Sequence, residues 1–151
     1  MRSTLHALPV LQDNIIWILV RGQNAVVVDP AVSEPVADWL SKQRLKLVAV
    51  LQTHHHADHI GGTPGLLKIW PKAEVVACAA DRRRIPLQTI SVGDGDTIQL
   101  MDHSFQVLGV AAHTAHHIAF VVDAVTDQDP GPVLFCGCLL YTSDAADDNA
   151  G

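Results

Sequence analysis

Lys46-Leu47-Val48-Ala49-Val50-Leu51-Gln52 runs straight into Thr53-His54-His55-His56-Ala57-Asp58-His59, and Gly61-Gly62 then breaks the chain. The first seven residues are rich in valine and leucine without polar alternation, which suits a central strand covered on both faces. Such a strand delivers the histidines to its end. His54 and His56 lie two apart, so in an extended segment their rings point to one side and can share an ion, while His55 points away. Asp58 and His59 begin the turn into the next helix, where they can face a second ion. One short loop therefore offers ligands for two metals, a pattern that chance histidines in a polar loop do not explain.

Working outward, strands and helices alternate. Ile15–Val20 and Ala25–Val28 are β-branched runs separated by Arg21-Gly22-Gln23-Asn24, which reads as a hairpin. After Asp29-Pro30, Ser33 is placed to cap a helix with Glu34 and Pro35 in its first turn and Val36, Trp39 and Leu40 at helical spacing. Thr63-Pro64 starts a second helix reaching about Trp70, and Glu74–Cys78 reads as another strand. Strand, helix, strand implies a partly parallel sheet. Gly93-Asp94-Gly95-Asp96 is a turn before strands near Thr97–Met101 and Ser104–Val110, with Ile118–Val122 and Val133–Cys136 as further strands. No internal repeat or clear linker divides the domain.

Composition excludes several classes. With 151 residues, 48% hydrophobic and 17% charged, the chain can bury one sizeable core and is not disordered. Its longest apolar stretches are too short to span a bilayer, and Met1-Arg2-Ser3 leads into no signal-type apolar core, so a cytoplasmic protein without membrane contact is expected. A net charge of −6 argues against nucleic acid as a partner, and Arg82-Arg83-Arg84 reads as a solvated face. Cys78, Cys136 and Cys138 show no zinc-ribbon spacing and their odd number argues against a disulfide framework. Most of the nine histidines fall in 54–59 and 113–117, which points to metal. His113, after the strand ending near Val110, is the best remote ligand for the ion held by His54 and His56. His6 and His103 read as structural or surface residues.

Four segments carry a resemblance to a known family: Leu8-Pro9-Val10-Leu11-Gln12-Asp13-Asn14-Ile15-Ile16-Trp17, Val28-Asp29-Pro30, Thr53 to Gly62, and His113-Thr114-Ala115-His116-His117-Ile118. They resemble hydroxyacylglutathione hydrolase, or glyoxalase II, over about residues 4–137. The histidine motif alone marks the metallo-β-lactamase superfamily, and Asp13-Asn14-Ile15-Ile16-Trp17 favours the glyoxalase II branch. The resemblance implies an α/β fold, the αββα sandwich, followed in the family by a helical substrate-binding region. It implies hydrolysis of S-D-lactoylglutathione to D-lactate and glutathione by a monomer, through a hydroxide held between two divalent ions, zinc first and iron or manganese as alternatives. Carried over by position, His54, His56 and His113 become ligands of the first metal and Asp58 and His59 of the second. Asp58 also becomes the residue that orients the nucleophile or accepts its proton. Asp29 and His117 become supports of the ligands. A persulfide dioxygenase-like enzyme with a single iron, and a non-catalytic metal-binding module, are the competing readings.

Two departures from the family pattern matter. Ala111-Ala112-His113-Thr114-Ala115-His116-His117 keeps the ligand but lacks the family's turn-forming proline and glycine, and His116 reads as an exposed loop residue. Leu134-Phe135-Cys136-Gly137 resembles the strand before the family's bridging aspartate, yet Cys138 follows. Either Cys138 is a thiolate ligand of the second site, or Cys138 to Asp148 is foreign, because it resembles the conceptual translation of a transposase sequencing adapter. The second reading makes 1–137 a partial metallo-β-lactamase domain without its helical region, 138–151 a non-native tail, and the chain as it stands inactive.

Overall fold

The computed structural model of the chain describes residues 3–10, 14–53, 60–83, 85, 87–109, 118–122, 133–136 and 139–142. Two sheets face each other. The first has the order β1-β2-β3-β4-β5-β6, from Ser3–Val10, Asn14–Arg21, Asn24–Val28, Lys46–Leu51, Glu74–Cys78 and Ile90–Val92. β1 to β3 run antiparallel, and β3 to β6 run parallel. The second is fully antiparallel in the order β11-β10-β9-β8-β7, from Leu139–Thr142, Val133–Cys136, Ile118–Val122, His103–Gly109 and Thr97–Leu100. Helices α1 (Glu34–Lys42) and α2 (Thr63–Ile69) lie on the first sheet. Among the described residues no helix covers the outer face of the second, so three layers of an αββα sandwich are in place.

The pleat sorts the apolar residues between two cores. Ile16, Ile18, Val27 and Val50 pack with Val36 and Leu40 of α1 and Leu66 of α2. Their strand neighbours Leu19, Val26, Val28 and Leu51 face Phe105, Val107, Phe120 and Phe135 across the sandwich. This double coverage explains the unbroken apolar run expected of β4. One irregularity interrupts its alternation: the β3–β4 register jumps from Ala25↔Leu47 to Val26↔Ala49, so Val48 and Ala49 both face the inter-sheet core.

Most expected elements are present, and three differences have physical causes. β1 was not expected, because Ser3–Val10 mixes polar residues with Pro9; as an edge strand it accommodates the proline, which pairs with Ile15. β6 spans only Ile90–Val92 and carries too few residues to show a period. Ser33 stands at the start of α1, but its side chain makes no capping bond. Instead, a Cβ on Gly65 of α2 would collide with the Ser33 hydroxyl, so that hydroxyl is packed between the helices.

His6 and His103 are structural, as expected. His6 hydrogen-bonds Thr4 Oγ1 at 2.8 Å and packs its ring 4.9 Å from Trp39. His103 Nε2 lies 2.8 Å from Ser3 Oγ, tying the second sheet to the first. Burial lowers the pKa of both rings, and Arg21 lowers that of His103 further against a weaker opposing effect of Asp102. Cys78 is a buried free thiol, and no helix is long and apolar enough to cross a membrane among the described residues.

Candidate metal centre

The parallel strands of the first sheet end at one rim, which is where open α/β sheets generally bind ligands. There β3 leaves through Asp29 and β4 through Gln52 and Thr53. Asp29 holds a left-handed backbone, φ 50°, and donates its N–H to the Leu51 carbonyl at 2.9 Å. This conformation is uncommon for a non-glycine residue. Its side chain reaches Thr53: Oδ1 accepts the Thr53 N–H at 2.8 Å and Oδ2 accepts the Thr53 hydroxyl at 2.6 Å. Both residues are buried, Thr53 completely, and hydrogen bonds to a carboxylate are among the stronger kind.

Thr53 is the last residue before the histidine loop, so this clamp fixes where the loop begins. The Gly62 N–H fixes where it ends, by donating to the Pro30 carbonyl at 2.7 Å. Only glycine fits there: a Cβ would lie 2.5 Å from Val32 C and 2.7 Å from Pro30 O, both backbone. Gln52 adds a link to the same helix, its buried Nε2 donating to Thr63 Oγ1. Both ends of the loop thus rest on the Asp29–Val32 turn.

The residue that follows the second histidine segment in sequence, Ile118, lies at the same rim. Ile118 N–H donates to the Thr53 carbonyl at 2.9 Å, joining the first residue after the 110–117 loop to the last residue before the 54–59 loop. Gly109 pairs with Ile118 in the β8–β9 ladder, which closes the base of that loop. Asp94 supports the closure by accepting the Gly109 N–H at 2.9 Å. Phe105, Phe120 and Phe135 lie fully buried below.

Of the sequence-derived site residues, Asp29 alone is described, and its carboxylate holds Thr53, the residue before the histidine segment. His54, His56, Asp58, His59, His113, His116, His117 and Cys138 lie outside the described residues. Among the described residues no group of three His, Cys, Asp or Glu side chains is arranged to hold a metal ion. Thr53 and Gly62 are the anchoring positions that motif reading undervalued. The available signal was a small hydroxyl residue directly before the first histidine and a glycine pair after the last.

The donor chemistry of the two loops, imidazoles with one carboxylate, suits a divalent transition-metal ion, and their shared anchorage at Thr53 fits such an ion.

Comparison with known proteins agrees. Residues 8–150 match the family model of the metallo-beta-lactamase superfamily. A hydroxyacylglutathione hydrolase of Parasynechococcus marenigrum (strain WH8102) is 66% identical over 142 residues, covering 94% of this chain and 57% of that protein. One from Prochlorococcus marinus (strain MIT 9303) is 59% identical over 93% of this chain and 54% of its own length. The chain thus spans little more than half the length of these relatives. In structure it is similar to the class B3 di-zinc metallo-beta-lactamase LRA-12 from an Alaskan soil metagenome, with a TM-score of 0.72 at 18% identity over 89% of this chain and 61% of that one. It is also similar to ETHE1 from Myxococcus xanthus, with a TM-score of 0.62 at 25% identity over 85% and 60%.

Proposed function

Because the chain belongs to the metallo-beta-lactamase superfamily, we propose that its two histidine segments form one divalent-metal centre for hydrolysis of a glutathione thioester, S-D-lactoylglutathione being the substrate its family resemblance implies. The hydrogen bond from Ile118 N–H to the Thr53 carbonyl carries this reading, because it joins the two ligand-bearing loops at their roots. The name shared by the relatives and the Asp13-Asn14-Ile15-Ile16-Trp17 segment support the thioester over other superfamily chemistries.

His54, His56 and His113 would hold the first ion and Asp58 and His59 the second. Bound there, divalent ions supply Lewis acidity and lower the pKa of water toward neutrality. Thr53, held by Asp29, sets where the loop bearing these ligands leaves the sheet. Asp58 would take a proton on its carboxylate oxygen as water adds to the thioester carbonyl carbon. The C–S bond then breaks, and the leaving sulfur receives the proton, giving D-lactate and glutathione. His117 would steady the His113 loop.

Metal content and thioester hydrolysis measured on one preparation of an intact homologous enzyme test the reading, the chain as it stands being expected to be inactive. About two zinc-type ions with release of glutathione support it. One iron with oxygen uptake overturns it in favour of the dioxygenase chemistry, and stoichiometric metal with no hydrolysis reduces the chain to a metal-binding module.

A further inference from the structure

The other end of the sandwich carries a second feature. Lys42 ends α1, Arg44 stands in the following turn, Lys46 opens β4, Lys68 lies in the last turn of α2, and Lys72 precedes β5. These are five of the ten Lys and Arg residues of a chain whose net charge is −6. All five are exposed, and no described carboxylate pairs with any of them. Glu74, the acid nearest in sequence to Lys72, accepts a hydrogen bond from Thr89 instead. Such segregation of charge in an acidic chain sets up a local positive potential.

Between Lys46 and Lys72 lies a groove of about 200 Å³. Its walls are Ile69, Trp70 and Pro71, and its floor is the buried pair Leu47 and Ala73. Ile69 is 54% exposed although nothing polar requires it there. The walls are preformed: Trp70 N–H donates to the Leu66 carbonyl at 2.9 Å and Ala73 N–H to the Trp70 carbonyl at 3.1 Å, fixing the turn that carries them. β4 separates this end from the histidine rim by six residues, roughly 20 Å of extended chain. The groove is therefore distinct from the candidate metal centre.

We propose that this groove binds a single-chain carboxylate amphiphile, its anionic head between the Lys46 and Lys72 ammonium groups and its apolar chain along Ile69, Trp70 and Pro71. Charge complementarity selects an anion, and the apolar walls and floor select one with a hydrocarbon body. The volume selects a small molecule over a peptide segment. A lipid surface is disfavoured, because one exposed aliphatic residue gives little area to insert.

Octanoate is titrated into the intact chain by calorimetry, with octanol and anionic phospholipid vesicles as the other arms. Saturable octanoate binding is expected, at least about tenfold weaker for octanol and for Lys46→Glu/Lys72→Glu, whose fold is checked by circular dichroism. Both side chains are exposed, so folding should survive. Equal binding of octanol, binding unchanged in the double variant, or no saturable octanoate binding would overturn the proposal. So would binding to vesicles without binding to free octanoate.

Discussion

Replacing Thr53 with valine tests the clamp at the root of the histidine loop. The substitution keeps the shape of the fully buried side chain and removes only the hydroxyl that Asp29 Oδ2 accepts at 2.6 Å. The backbone N–H bond to Oδ1 at 2.8 Å remains. A hydrogen bond to a charged group nets about 1.5–3 kcal/mol. For a domain of this size that corresponds to a melting temperature lower by roughly 3–12 °C. Because Thr53 anchors both histidine segments, zinc affinity should also fall, by about 10–100-fold as for other groups that orient metal ligands. Thr53→Ser keeps the hydroxyl and loses one methyl group, so its destabilisation should stay near 1 kcal/mol and its zinc affinity near that of the parent. Thermal unfolding followed by circular dichroism, with zinc titration on the same samples, reads both effects. A valine variant that melts within about 1 °C of the parent and binds zinc equally well would refute the clamp, with 1 °C lying below the smallest expected shift.

Gly62→Ala places a methyl 2.5 Å from Val32 C, where only backbone movement relieves the overlap. Urea unfolding should show a loss of about 1–3 kcal/mol or more, and a neutral result would mean that α2 does not seat on the Asp29–Val32 turn as described. Phe120→Ala opens the inter-sheet core at a fully buried ring and should cost about 3–5 kcal/mol in the same assay. Burial lowers the pKa of His6 and His103 below the ordinary 6.5. The stability they contribute is therefore complete above 6.5 and is lost as the pH falls through that value toward the depressed folded one. Melting temperatures of the parent and of His103→Asn should converge as the pH is lowered across this window; a constant gap between them contradicts the assignment. Sequencing across codons 134–151 in an independent copy of the gene checks the reading of the tail: an aspartate codon after Gly137 is expected, and a reproducible Cys138 overturns it.

The β2–β3 hairpin was legible because its apolar runs are bounded by Gly22, Asn24 and Asp29, and β4 and β5 because burial on both faces leaves no other use for their unbroken apolar runs. β1 was not, since an edge strand needs only one apolar face and tolerates Pro9. The bulge at Val48 was also hidden, because a run of uniformly apolar residues carries no mark of where its register slips. In the site, the histidine pattern declared itself through residue type and spacing. Of the support beneath it only Asp29 was named, through the family resemblance; the pairings were not, because they join residues distant in sequence: Asp29 with Thr53, Pro30 with Gly62, and Thr53 with Ile118. Ser33 shows the converse error, where a good capping residue is used for helix packing instead.

The central claim is that the two histidine segments serve one metal centre, and zinc affinity of His113→Ala beside His56→Ala tests it most directly. The account expects both substitutions to weaken zinc binding to a similar degree, with circular dichroism unchanged. Zinc bound by His113→Ala as tightly as by the parent, while His56→Ala loses it, would contradict a shared centre.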